Sequence, residues 1–176
     1  MAFTFCLGCS ESYVPKPLGF HRIELSKKEY ELFETQCKFN FQKSKIVDVL
    51  EGKENCWMNL YYPKHQATIY LTYKVLENDL SKVLEESHQL VYDHSDKSDG
   101  IIEKSFINKE EKVFGVMFDI YGNSASNLQF FATDSVKHFI RGALYFNNTP
   151  NSDSIQPVKE YIKKDLQILM ESLSWS

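Results

Sequence analysis

The sequence lacks a continuous apolar run of about 18 residues, the minimum for a transmembrane helix, so no membrane-spanning segment is predicted. It also lacks a stripe of basic residues, and its formal net charge of −4 disfavours binding to nucleic acid. Arginine is scarce, since Arg22 and Arg141 are the only two among 20 basic residues. Either the chain prefers lysine in general, or these two positions need the planar donor fork of a guanidinium.

Aromatic residues, in contrast, are plentiful. The 176-residue chain contains 13 Phe, 10 Tyr and 2 Trp, which favours a folded, β-rich globule over disorder. A chain of this length can bury a sizeable core without disulfides or metals. We expect one domain over residues 20–176, preceded by an N-terminal segment, residues 1–19.

The central part of the chain contains three apolar runs, at Val113–Tyr121, Leu128–Thr133 and Phe139–Phe146. The breaks between them, Gly122–Ser126 and Asp134-Ser135, are rich in residues that form turns. This pattern predicts three consecutive antiparallel strands, a meander. Both of its faces are apolar, so both need cover from the rest of the chain.

Two helices are predicted to supply that cover, at about residues 78–95 and 154–173, each with apolar residues at steps of three or four. Asn78 is the expected cap of the first helix. The predicted fold class is therefore α+β, an antiparallel sheet covered by two main α-helices. The other predicted elements are a strand at Phe20–Leu25, a helical turn from Ser26 to Phe33, a hairpin of Cys37–Gln42 with Ile46–Leu50, a strand pair of Cys56–Tyr62 with Thr68–Tyr73, and a short strand at Ile101–Ile107.

The first ten residues, MAFTFCLGCS, end in Leu7-Gly8-Cys9, which is similar to the end of a bacterial lipoprotein signal. A basic n-region is missing, and the apolar part is shorter than in an exported signal. Cys9 is the predicted lipid acceptor. The following Tyr13–Gly19 contains two prolines and predicts a stiff tether or, alternatively, a docking peptide.

Candidate chemistry is sparse. Asp93, His94, Asp96 and Asp99 could suggest a metal, but the acids fall at every third residue and not at the alternate positions of a calcium loop. No metal site and no cofactor are therefore predicted. Ser124 or Ser135 with His138 would make a hydrolase, with Asp134 close by in sequence. However, Gly122–Ser126 lacks the second glycine of a nucleophile elbow, and a catalytic triad is defined by geometry.

Two further positions are left with alternatives. Cys37 and Cys56 lie in predicted strands, where they are either bridged or simply buried. Arg141 shares a predicted strand face with aromatic residues and needs a partner. That partner is either an internal carboxylate, Asp119 or Asp134, or a group on another molecule.

Several motifs, in their order and spacing, resemble the gliding-motility lipoprotein GldD family along nearly the whole chain from Cys9. The residues that carry the resemblance are Tyr13–Phe20, Arg22-Ile23, Ser87-His88, Asp99–Ile101, Gly122–Ser126, Gln129–Phe131, Thr133–Ser135, His138-Phe139 and Arg141–Asn147.

The resemblance implies a membrane-anchored lipoprotein of Bacteroidetes that is needed for gliding and linked to type IX secretion. It implies lipidation at Cys9, location in the cell envelope facing the periplasm, and no catalytic residues. The order of strands and the closing helix also look like a PsbP-type αβ sandwich. Partners would be other gliding and secretion proteins and, through the acylated cysteine, a lipid bilayer.

The residues and the resemblance together predict a non-enzymatic protein that acts by protein–protein contact. The expected contact surface includes Asn123, Ser124, Asp134 and His138, because functional loops concentrate at strand ends, and Arg141 is a further candidate. The alternatives are a periplasmic binder of a small ligand, with a pocket between sheet and helix, and the serine hydrolase.

Overall fold

The computed structural model describes residues 24–93, 98–147 and 152–176. These residues form ten β-strands, two α-helices and one turn of 3₁₀ helix at Pro63–His65. The helices are α1 (Leu80–Asp93) and α2 (Ser152–Glu171). The strands are β1 (Tyr30–Glu34), β2 (Phe39–Ser44), β3 (Asp48–Glu51), β4 (Met58–Tyr62), β5 (Ala67–Val75), β6 (Ser98–Asn108), β7 (Val113–Gly122), β8 (Leu128–Thr133), β9 (His138–Phe146) and β10 (Ser174–Trp175).

The strands form two antiparallel sheets. The larger has seven strands in the order β3-β4-β5-β9-β8-β7-β6, and the smaller has three in the order β1-β2-β10. The predicted meander is confirmed, since β7 pairs with β8 and β8 with β9. The predicted pair of strands at β4 and β5 is also confirmed.

Two apolar clusters fill the interior. The larger joins α2, through residues such as Ile162 and Leu166, to the seven-stranded sheet and to Phe39 and Phe41 of the smaller sheet. The second joins Val83 and Val91 of α1 to the opposite face of the meander, where its members are Phe118, Ile120, Phe131 and Phe139. The central strand β8 is buried along its whole length, as its two apolar faces require.

The predicted fold class, an α+β sheet covered by two main helices, is wrong, because strands dominate the molecule. Of the structure, 47% is strand and 24% is helical. A second sheet, which the sequence pattern did not predict, contributes Phe39 and Phe41 to the main core. Part of the cover expected from helices is thus provided by strands paired across large sequence separations.

Three local predictions are corrected as well. The helical turn expected from Ser26 to Phe33 does not form, because strand β1 begins at Tyr30. The expected hairpin of Cys37–Gln42 with Ile46–Leu50 does not form, since β2 and β3 belong to different sheets. Asn78 was the expected cap of α1, but Asp79 occupies that position. The carbonyl of Asp79 accepts the first helical hydrogen bond, from the N–H of Val83, and Asn78 lies one residue earlier with a φ of 62°.

The cysteine alternative is settled by a disulfide between Cys37 and Cys56, with Cα atoms 5.7 Å apart. Cys37 precedes β2 and Cys56 precedes β4, so the bridge ties the smaller sheet to the larger one. Cys9, Arg22, His94, Asp96 and the predicted tether lie outside the described residues. Neither described helix combines the length and apolarity needed to cross a membrane.

Candidate interaction surface

The residues predicted to form one contact surface lie at opposite ends of β8. Asn123 and Ser124 belong to the loop that precedes β8, whereas Asp134 and His138 lie just beyond its other end. Six strand residues span about 17 Å at the usual rise per residue. The structure therefore separates the first pair from the second.

The loop before β8 is held by its own hydrogen bonds. Ser124 is 1% exposed and its hydroxyl donates to the carbonyl of Ser126 at 3.1 Å. The side-chain amide of Asn127 donates to the carbonyl of Gly122 at 3.0 Å. Small polar residues commonly bond neighbouring backbone in this way, so the Ser124 hydroxyl serves the loop.

The turn between β8 and β9 is organised by Asp134. Its Oδ1 accepts backbone N–H groups from Val136 at 2.9 Å, Lys137 at 2.8 Å and His138 at 2.8 Å. Burial alone would raise the pKa of this carboxyl, but the three backbone donors outweigh it and the pKa is lowered. The folded turn leaves Val136 68% exposed at its tip.

His138 connects this turn to two distant segments. Its Nδ1 is hydrogen-bonded to the hydroxyl of Tyr73 at 2.8 Å, and its ring stacks on Trp175 with centroids 5.3 Å apart. Trp175 Nε1 donates to the carbonyl of Lys112 at 3.1 Å. The stack continues inward from Tyr73 to Phe39, so this end of the molecule is rigidly joined to the core.

Exposed apolar side chains border this rigid stack. Val75 pairs with His138 at the end of β5, on the same face of the sheet, and is 55% exposed. Val136 lies at the same end of the seven-stranded sheet, at the tip of the turn between β8 and β9. We call this the turn-end surface, and it comprises Val75, Val136 and Trp175.

The arrangement does not assemble a serine hydrolase. Among the described residues, the His138 imidazole is bonded to Tyr73, and no serine hydroxyl is bonded to it. The Asp134 carboxylate faces the backbone of its own turn. Catalysis through Ser124 or Ser135 with His138 would need contacts that these side chains do not make.

Arg141 is not paired with either predicted carboxylate, which corrects the favoured internal ion pair. Its Nη2 donates to Oε1 of Gln129 at 2.7 Å. Asp119 is bonded instead to Lys159 and Lys163 of α2, and Asp134 to its turn. Burial lowers the pKa of the Arg141 guanidinium, with the nearby Tyr145 acting in the opposite direction.

Two spaces bear on the predicted ligand pocket. The space beside Asp165 and Leu166, between α2 and the sheet, amounts to about 10 Å³. An open groove of about 590 Å³ lies beside the Cys37–Cys56 disulfide and is lined by both polar and apolar groups. Among the described residues, no three His, Cys, Asp or Glu side chains are placed to hold a metal.

Three residues important at these positions were not predicted from sequence: Tyr73, Gln129 and Trp175. Tyr73 and Trp175 meet His138 only because β5, β9 and β10 converge, and no local pattern signals that. Gln129 could have been found, since the predicted meander places β8 beside β9 and brings Gln129 diagonally opposite Arg141.

Comparison with known proteins gives a fold class and a family. The chain is similar in structure to cyanobacterial PsbP (CyanoP) from Synechocystis sp. PCC 6803, with a TM-score of 0.51, 11% sequence identity, and coverage of 92% of this chain and 100% of that one. At this identity the likeness shows a PsbP-type fold and nothing about activity. No curated protein matches the chain. Residues 10–175 match the family model for the gliding motility lipoprotein GldD, and the chain belongs to that family.

Proposed function

We propose that this protein is a membrane-anchored lipoprotein that supports gliding motility and type IX secretion by protein–protein contact, without catalysis. The family match over residues 10–175 carries this proposal. Lipid attached at Cys9 would anchor the domain, and the proline-containing segment Tyr13–Gly19 that follows would serve as its tether. A lipidated cysteine with several acyl chains suffices for stable attachment.

The disulfide supports a position facing the periplasm. Disulfides form and persist in oxidising compartments, which include the bacterial periplasm, and are rare in the cytosol. The Cys37–Cys56 bridge joins the two sheets of this domain. A domain stapled in this way suits the envelope location that a lipoprotein family implies.

The turn-end surface is the part of the molecule we propose for partner contact. It combines the exposed apolar side chains of Val75 and Val136 with the stacked rings of Trp175 and His138. Preorganised apolar and aromatic groups bind partners with little loss of conformational entropy. Asp134 shapes this surface. Asn123, Ser124 and Arg141 lie elsewhere, and their roles in contact stay predictions.

The test is a pair of charge substitutions in the lipidated protein, expressed in the gliding bacterium. Val136→Asp should abolish gliding while leaving the melting temperature unchanged, because the side chain is exposed. Leu50→Asp, at a residue that is 51% exposed on β3 at an edge of the sheet, is the matched control and should leave gliding intact.

The same strains allow crosslinking and pull-down from native membranes. Envelope proteins captured by the parent and by Leu50→Asp should be lost with Val136→Asp. Normal gliding with Val136→Asp, or equal loss with both substitutions, would refute the turn-end surface as the contact site.

A further inference from the structure

Arg141 and Gln129 form a pair of donors with no acid beside it in the described part of the chain. Arg141 lies on β9 and donates through Nη2 to Oε1 of Gln129 on β8. Arginine offers only donors, so the amide oxygen of Gln129 must face it and the amide nitrogen must face elsewhere. That nitrogen is buried and has no hydrogen-bond partner.

The exposure of the two residues makes this arrangement unusual. Gln129 is 1% exposed, so its NH₂ group has left water without gaining an acceptor. Arg141 is partly buried, and burial lowers the pKa of its guanidinium. Buried polar groups are nearly always satisfied, and buried charges are nearly always paired. The missing group is thus an acceptor, and a negative charge would serve both donors.

Strand register places these donors around Ala143. Arg141, Ala143 and Tyr145 alternate on one face of β9, and Ala143 pairs with Gln129 on β8 and with Tyr70 on β5. The rings of Tyr70 and Tyr145 meet edge to face with centroids 5.6 Å apart. Donors thus lie on one side of Ala143 and aromatic surface on the other.

We propose that the Arg141–Gln129 pair binds a carboxylate whose attached apolar group contacts Tyr70. A planar carboxylate matches the guanidinium fork and can also accept from an amide N–H. A phosphate dianion fits less well, because it calls for more than one cation. Lys74, on the same face of β5, is already bonded to Asp79 at 2.6 Å.

This inference goes beyond the proposed function and is tested on the isolated protein, so either can fail without the other. The full 176-residue chain, labelled with ¹⁵N, is titrated with phenylacetate while the Gln129 side-chain amide and the Arg141 Nε–H signals are followed by NMR. Both should shift saturably. Phenylacetamide, which keeps the ring and loses the charge, should bind at least about tenfold more weakly.

A second arm distinguishes a free acid from the end of a polypeptide. N-acetyl-Gly-Phe with a free carboxylate is compared with its C-terminal amide. Tighter binding of the peptide acid than of phenylacetate indicates a polypeptide C-terminus as the natural source, and the reverse indicates a small acid. Absence of saturable shifts with both acids, or equal binding of acids and amides, overturns the proposal.

Three variants complete the test. Arg141→Met should abolish binding, and Lys74→Met, which removes a cation from the same face, should leave it unchanged. Gln129→Glu places a carboxylate beside Arg141 within the chain and should also abolish binding while keeping a dispersed spectrum. If folded Gln129→Glu protein binds phenylacetate as tightly as the parent, the site is not where we propose.

Discussion

The ammonium group of Lys159 on α2 is bonded to the carboxylate of Asp119 on β7, and the two side chains are 1% and 4% exposed. Lys159 also donates to the carbonyl of Ile120 at 2.9 Å and lies 4.3 Å from the ring centre of Tyr121. A second cation, Lys163, bonds the other carboxylate oxygen. This cluster fixes the closing helix to the first strand of the meander at one register.

Removing the shared carboxylate should be strongly destabilising. Asp119→Ala leaves the Lys159 ammonium buried without its acid, and breaking a buried pair from one side typically costs about 3–5 kcal/mol. Lys163→Ala removes the more exposed cation, 22% exposed, and should cost no more than about 1 kcal/mol. Denaturant unfolding of both variants measures the difference.

Replacing both members of the buried pair provides the control. Asp119→Leu with Lys159→Met removes both charges, and such apolar replacements are often neutral or stabilising. The double variant should therefore recover most of the stability that Asp119→Ala loses. A double variant as unstable as the single one would mean that packing, and not the unpaired charge, explains the loss.

Acid should unfold the protein through carboxyls of lowered pKa. Burial opposes ionisation of Asp119, but its bonds to Lys159 and Lys163 prevail and its pKa is lowered; that of Asp134 is lowered by backbone donors in the same manner. A group with a lower pKa in the folded state stabilises above the unfolded value, about 3.9 for Asp. That contribution is lost as the pH falls through the folded pKa.

We therefore expect the free energy of unfolding to fall as the pH drops below about 4, near the unfolded pKa of Asp. Asp134→Asn should flatten the pH profile, because an uncharged amide oxygen can still accept from the turn but does not titrate. The measurement is denaturant unfolding at a series of pH values. A variant profile as steep as that of the parent would exclude Asp134 as a contributor.

Sequence patterns predicted the meander well because it is local. Its strands follow one another, alternate their side chains, and are separated by turn residues whose chemistry is visible. The smaller sheet was missed because β10 has only two residues and pairs with β2 from the far end of the chain. β1 was missed because it is largely exposed and carries little apolar alternation.

The difference between local and long-range contacts also explains which functional residues were predicted from the sequence. Asp134 and His138 were predicted as contact residues because they border a turn; they lie at that turn in the structure, and their role in partner contact stays a prediction. The predicted partner of Arg141 was wrong because the prediction considered only carboxylates. Strand register instead places Gln129 within hydrogen-bond reach of Arg141. The contact of His138 with Trp175 depends on three separate segments meeting, which no local pattern encodes.

Two glycines on neighbouring strands should respond differently to alanine. A Cβ on Gly115 of β7 would lie 2.3 Å from the carbonyl oxygen of Phe131, so the backbone must shift. A Cβ on Gly100 of β6 would meet nothing within 4 Å. Gly115→Ala should destabilise by about 1–3 kcal/mol, as overpacking does. Gly100→Ala should be neutral or stabilise by up to about 1 kcal/mol, because it restricts the unfolded chain. Thermal unfolding of both variants gives the comparison, and similar destabilisation by the two would contradict the close approach at Gly115.

The disulfide between Cys37 and Cys56 should contribute substantially to stability. The two cysteines are 19 residues apart, and closing a loop of that size with a disulfide stabilises the folded state by about 3 kcal/mol, because it lowers the entropy of the unfolded chain. Replacing both by serine should lower the melting temperature by roughly 6–12 °C for a domain of this size. Reductant should lower the melting temperature of the parent by a similar amount and leave the double-serine variant unchanged. If the parent is purified from the envelope with two free thiols at these positions, the bridge does not form there, and the argument for an oxidising compartment loses its support.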